Sequence, residues 1–261
     1  MNVVYLAKNK RSAARCLEEV VSRGCAVSAV VVGEPSPLDH ESQRVDLVAE
    51  RHGLPMVSEE ELYALAPELD GRVDLVLSVL YPRLIRRPLM ELARVACLNF
   101  HPAPLPDWRG LGGYNMAILE RLEEWGASAH FVDEHFDTGD IVRVKRFPFD
   151  PESETAWSLD LLSQEHLFEL FCQVLELALS GDPLPREPQG EGRYVSARDL
   201  QRLSMVPEDA SAEEIERRVR AFWHPPWPGA TIVRDGRAFT LVDQRLLDEA
   251  ALTLRDAGQV P

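Results

Sequence analysis

What this 261-residue chain lacks narrows its function before any motif is read. No stretch approaches the 18 or more consecutive apolar residues of a membrane span, and Met1-Asn2-Val3-Val4-Tyr5 runs straight into a strand-like segment without the basic opening of a secretory signal. A cytoplasmic protein that meets no membrane is the expectation. Cysteine is scarce: Cys16, Cys25, Cys97 and Cys172 form neither a CxxC pair nor a zinc spacing, so they read as buried free thiols and no metal is implied. Positive charge is in deficit, with 28 Lys and Arg against 43 Asp and Glu and a formal net charge of −15. Nucleic-acid binding takes much of its affinity from cations that neutralise phosphates. A tRNA partner is therefore disfavoured, whereas a compact nucleotide needs only one or two local cations. Lys8-Asn9-Lys10 follows the first strand where a dinucleotide fold would carry GxGxxG. That argues against a dinucleotide-dependent oxidoreductase and leaves the loop able to touch a ligand phosphate.

Apolar residues make up 45% of the chain and charged residues 27%, as in a globular protein able to bury a sizeable core. Short apolar runs at 2–7, 27–32, 73–79 and 95–99 alternate with helical spacing at 12–23, 41–52 and 88–93; a short strand is also expected at 55–57. Ser58-Glu59-Glu60-Glu61 has the form of a capping box that opens another helix. The strand runs are continuous rather than alternating, as in strands covered on both faces, and the order predicts an α/β fold built on a doubly wound, mostly parallel sheet. Further on, 112–121 reads as helix, 127–132 and 140–144 as strands, and 155–179 as a long packing helix. His130 reads as a strand residue packed in the sheet and His135 as a loop residue. The stretch 182–192, DPLPREPQGEG, has linker composition, followed by a Ser211-capped helix and a hairpin centred on Asp235-Gly236. The expected division is a core of 1–190 and a small α+β appendage of 191–261. Trp223 and Trp227, in a proline-stiffened turn, suit either packing, a dimer interface or stacking on a base or sugar.

Chemistry concentrates in LNFHPAPLPDWRG at 98–110 and FVDEHFDTGDIV at 131–142. Asn99 and His101 sit two apart where an apolar strand gives way to a loop stiffened by Pro102, Pro104 and Pro106, with Leu105-Pro106 the expected cis bond. Asp137 follows in Asp137-Thr138-Gly139, where glycine permits a tight turn back over the sheet edge. Each fragment alone reads more readily as an ordinary loop or turn. Together an amide, an imidazole and a carboxylate suit acyl transfer to an amine, which builds an oxyanion and sheds a proton from nitrogen.

The ordered set Asn-x-His-Pro, Leu-Pro-x-Trp-Arg-Gly and Asp-x-Gly resembles the folate-dependent formyltransferase family, and RAFWHPPWPGA at 220–230 looks like the tail of its nucleotide-sugar members. The resemblance implies a Rossmann-like formyltransferase core with 10-formyltetrahydrofolate as co-substrate and Asn99, His101 and Asp137 as catalytic trio. It implies a pterin site at Arg83, Leu84, Ile85, Met90, Asp133 and Phe136. Trp108, Arg109 and Tyr114 are the acceptor-side candidates. The expected partner is a small-molecule amine, foremost a nucleotide-linked amino sugar, with a homodimer left open. Alternatives are other small amines such as an amino acid, a hydroxylamine or glycinamide ribonucleotide, transfer to water, methionyl-tRNA, or a folate-binding protein that no longer catalyses.

Overall fold

The computed structural model describes residues 1–36 and 39–256; the last five positions of the expected appendage, 257–261, lie outside them. Two compact units form, one from Met1–Gly110, Trp125–Phe147 and Leu162–Tyr194, the other from Leu111–Glu124, Pro148–Leu161 and Val195 onward.

In chain order the elements are β1 (Asn2–Ala7), α1 (Arg11–Ser22), β2 (Ala26–Val32), α2 (Val45–Arg51), α3 (Glu59–Leu69), β3 (Leu75–Val79), α4 (Arg87–Met90), β4 (Ala96–His101), β5 (Trp108–Gly110), α5 (Gly113–Leu119), β6 (Glu124–Phe131) and β7 (Ile141–Pro148). They continue with α6 (Ala156–Ser180), β8 (Arg193–Val195), α7 (Ala197–Ser204), α8 (Ala212–Phe222), β9 (Thr231–Arg234), β10 (Arg237–Thr240) and α9 (Gln244–Asp256).

The first unit is organised by a sheet of order β2-β1-β3-β4-β6-β7. β2, β1, β3 and β4 are parallel, and β6 joins β4 antiparallel, so the sheet is mostly parallel as expected. Alternation along each strand feeds two cores. Val3, Tyr5 and Ala7 of β1, Leu75, Leu77 and Val79 of β3, and Leu98 and Phe100 of β4 pack with Leu17 and Val20 of α1 and with Leu167, Phe171 and Val174 of α6. Val4 and Leu6, Val76 and Cys97 turn to the other face, against Leu62 of α3 and Leu89 of α4. Burial on both faces explains why these strands show no polar alternation.

Several elements differ from the sequence reading. The helix expected at 41–52 divides into a 3-10 turn at Glu41–Gln43 and α2, because Arg44 between them adopts extended backbone with φ −84° and ψ 100°. Residues 55–57 supply a single bridge, Val30 to Met56, rather than a strand. β4 runs on through His101, so Asn99 and His101 are strand residues with the rigidity of a ladder, not the first residues of a loop. α7 and α9 have no counterpart in that reading, although Ser196 and Asp199 form a capping box at the start of α7. Ser58 caps α3 and Ser211 caps α8 as anticipated. In the second unit β9 and β10 make the expected hairpin, with Asp235 and Gly236 at φ 51° and 74°, the left-handed pair that a tight two-residue turn requires.

Candidate active site

Strand register places the first polar row. Ser78 of β3 pairs with Asn99 of β4, and Asn99 pairs with His130 of β6. These side chains lie on the sheet face opposite Leu77, Leu98 and Phe131, because successive residues alternate faces. His101, two residues beyond Asn99, shares that face.

The hydrogen bonds along the row have one consistent direction. A carbonyl accepts only, so His130 Nδ1 carries the proton that it donates to Phe131 O at 2.8 Å. In the neutral ring Nε2 is then an acceptor, and Asn99 Nδ2 donates to it at 3.0 Å. The amide oxygen of Asn99 in turn accepts from Ser78 Oγ at 2.7 Å. One Asn99 N–H remains for a ligand.

The proline loop behind His101 is anchored at three points. Ser128 Oγ donates to Ala103 O at 2.7 Å and accepts from Leu105 N at 2.8 Å, while Trp125 Nε1 donates to Pro102 O at 3.0 Å. Leu105-Pro106 is cis, as the sequence reading expects, and Pro225-Pro226 in the second unit is cis too.

Asp137 arrives on a turn with φ 57° at the residue itself. Asp133 holds that turn by accepting from His135 N at 3.0 Å and from Thr138 Oγ1 at 2.7 Å. Gly139 is obligatory for steric reasons, since a Cβ there would meet Phe131 O at 1.9 Å. Asp137 Oδ1 lies 3.5 Å from His101 Nδ1 and 3.6 Å from His130 Nε2, and Oδ2 accepts from Gly110 N at 3.2 Å. Burial alone would push this carboxyl up, but His101, His130 and the Gly110 N–H outweigh it and hold it at about 2. Burial pushes His101 below its usual range, and Asp137 together with a main-chain hydrogen bond to Trp108 pulls it only partly back. At neutral pH the pair is thus a carboxylate beside a neutral imidazole, which is the protonation state a general base requires.

The trio Asn99, His101 and Asp137 is brought together. His130 and Ser78, which complete it, were not singled out as site residues. Burial of His130 agrees with the reading of a packed strand residue, yet its ring also faces Asn99 and Asp137. Period-two spacing puts His130 and Ser128 on the same strand face, but only the pairing of β6 with β4 sets that face beside Asn99.

The remaining candidates are spread more widely. Arg83 projects into solvent and pairs with Glu59 at 2.5 Å, Leu84 is half-buried, and Ile85 is buried in the second core. Met90 and Asp133 line one cavity of about 280 Å³ together with Cys97, Phe131, Val132 and Arg186. Phe136 is exposed on the Asp137 turn, and so is His135. Trp108 is buried against Trp125 with ring centroids 6.0 Å apart, and Arg109 donates to Gln189 Oε1 at 2.9 Å and Gly190 O at 2.8 Å. Tyr114 lies half-buried on α5 in the second unit; there too, half-buried Trp223 and exposed Trp227 line a cavity of about 260 Å³. Among the described residues no cluster of His, Cys, Asp and Glu is placed to hold a metal ion, and no helix is long and apolar enough to cross a membrane.

Comparison with known proteins places the same segment in context. The formyl transferase family matches residues 1–175. The chain is 28% identical over 247 residues to the methionyl-tRNA formyltransferase of Geotalea uraniireducens, covering 91% of this chain and 77% of that one. It is 32% identical over 183 residues to the GDP-perosamine N-formyltransferase of Brucella melitensis, covering 69% and 68%. Among solved structures, an N-formyltransferase from Helicobacter canadensis in complex with folinic acid and dTDP-3-aminofucose superposes with a TM-score of 0.75 at 20% identity, over 90% of this chain and 85% of that one.

Proposed function

Because the chain belongs to the formyl transferase family, and is thus a folate-dependent formyltransferase, we propose that it carries a formyl group from 10-formyltetrahydrofolate to the amine of a nucleotide-linked amino sugar. The observation that supports this chemistry most is the neutral His101 beside an ionised Asp137, with a free Asn99 N–H on the same strand face. The cavity lined by Met90, Phe131 and Val132 with the polar Asp133 and Thr138 suits a flat heterocycle carrying hydrogen-bonding edges. The donor supplies the reactive formyl carbon.

Asn99 Nδ2 donates to the formyl oxygen as negative charge develops on it. His101 takes the proton that the acceptor nitrogen sheds as the new N–C bond forms. Asp137, 3.5 Å from His101 Nδ1, stabilises the resulting imidazolium without itself becoming protonated. That same proton then passes from His101 to the departing donor nitrogen as its bond to the formyl carbon breaks.

Two observations favour a nucleotide sugar as acceptor: the similarity to a GDP-perosamine N-formyltransferase and the net charge of −15, which opposes a polyanionic tRNA. Methionyl-tRNA is the second reading, favoured by the Geotalea relative that matches most of the chain. An acceptor panel separates them. The protein is incubated with donor and, in turn, nucleotide amino sugars, methionyl-tRNA, amino acids, hydroxylamine, glycinamide ribonucleotide or buffer alone, and tetrahydrofolate release is followed. Release with a nucleotide amino sugar and with no other addition supports the proposal; release dependent on methionyl-tRNA overturns it.

A further inference from the structure

We infer that Ser78 is a positioning residue that fixes which way round the Asn99 amide sits. Ser78 is 2% exposed, one residue from the carboxyl end of β3, and its hydroxyl is turned to Asn99, ending 2.7 Å from Asn99 Oδ1. A serine hydroxyl in a strand otherwise made of Leu75, Val76, Leu77 and Val79 is a cost unless it is used, because burying a polar group without a partner is unfavourable.

The use follows from hydrogen-bond polarity. Asn99 can present either its oxygen or its nitrogen to each neighbour. On the β6 side, Phe131 O forces the proton onto His130 Nδ1 and leaves Nε2 as a lone pair, which calls for N–H from Asn99. On the β3 side, a hydroxyl can donate or accept, but Ser78 is buried and its proton finds an acceptor in Asn99 only when the amide oxygen faces it; a flipped amide would leave that O–H unsatisfied. Both neighbours select the same orientation, the one in which Nδ2 and its second hydrogen face the site. Flipping the amide would set Oδ1 against the His130 lone pair and present an oxygen where negative charge develops. With Ser78 removed, the His130 contact alone opposes that flip. The inference rests on the reading of Asn99 as donor to the reacting oxygen.

Three substitutions test it. Thr and Val are isosteric, so Ser78→Thr and Ser78→Val differ only in the hydroxyl, while Ser78→Ala removes it without adding volume. Expected are a kcat lowered about tenfold or more in the Val and Ala variants, as when a preorganised donor is misplaced. The donor KM should stay unchanged, and the Thr variant should keep most of the wild-type kcat. In an Asn99→Ala background none of the three should matter further, because the residue acts only through Asn99. Independently of turnover, the side-chain amide NMR signals of Asn99 should move in the Val and Ala variants and stay in place with Thr. Equal kcat for Thr and Val, an additive loss in the Asn99→Ala background, or amide signals that ignore the hydroxyl would each overturn the inference. If the protein transferred no formyl group to any acceptor, the amide signals would still decide the role of Ser78, and the proposed function alone would fall.

Discussion

Replacing Asp137 by Asn removes one negative charge from between two imidazoles while keeping the size of the side chain and an oxygen for the Gly110 N–H. Asp137 is held at about 2 against an ordinary 3.8, nearly two pH units, which at about 1.4 kcal/mol per unit favours the carboxylate by about 2 kcal/mol. That net sums burial, both imidazoles and the Gly110 N–H; taken as the order of magnitude of what the carboxylate gives the imidazolium in the transition state, its loss lowers kcat by roughly 30- to 60-fold. The pH profile should move with it. His101 lies below its usual range because burial outweighs the pull of Asp137, so kcat/KM of the wild type should decline only as pH falls below about 6.5. Without the carboxylate, His101 falls further and the acid limb shifts to lower pH. Stability follows the opposite group: a depressed carboxyl contributes fully above pH 3.8 and loses its contribution as pH falls through about 2. The Tm gap between the two proteins should therefore be greatest near neutrality and close in strong acid. The assay is initial-rate formation of tetrahydrofolate from about pH 5 to 8, the span over which an imidazole titrates. A variant that keeps more than about a tenth of the wild-type kcat, or whose acid limb moves to higher pH, refutes the reasoning.

Other outcomes follow from the same geometry. Asn99→Ala and His101→Asn should each lower kcat about 10²–10³-fold with donor affinity retained, and combining His101→Asn with Asp137→Asn should cost scarcely more than the worse single change, because the groups act as one unit; steady-state kinetics checks both. Gly139→Ala should destabilise the fold by about 1–3 kcal/mol and distort the Asp137 turn, since its Cβ would meet Phe131 O, and urea unfolding measures the loss. Cys97, buried and pushed up to about 12, should resist thiol reagents at pH 8 until denaturant is added, as thiol counting by mass spectrometry would show. A nucleoside diphosphate at a hundred times its dissociation constant should stabilise the protein by about 2.7 kcal/mol, whereas tRNA should leave Tm unchanged.

Much of the fold and of the site could be read in advance, for identifiable reasons. β1, β3 and β4 stand out because both faces are covered, which leaves apolar runs without interruption. Ser58 and Ser211 announce helix starts through side-chain bonds made within four residues, and Asp235-Gly236 announces a hairpin for the same local reason. Asn99, His101 and Asp137 are legible as candidates only through the combined resemblance of Asn-x-His-Pro, Leu-Pro-x-Trp-Arg-Gly and Asp-x-Gly, since each fragment alone reads as an ordinary loop. What escaped depends on pairing across the sheet. Neither Ser78 nor His130 has a local signature, and only the register of β3, β4 and β6 joins them to Asn99. Arg44 breaks the 41–52 helix without any proline or glycine to mark it. Continuation of β4 to His101 was hidden by the following proline, which biases its predecessor to extended backbone and is as compatible with a strand end as with a loop.

The most direct test of the account is transfer of a labelled formyl carbon. Wild-type protein and the His101→Asn variant are each given 10-formyltetrahydrofolate carrying that label, with nucleotide amino sugars and methionyl-tRNA present together. The account predicts that the label appears as an N-formyl group on the sugar, in the wild type and hardly at all in the variant. Label on methionyl-tRNA or in free formate, or equal transfer by the two proteins, would contradict it.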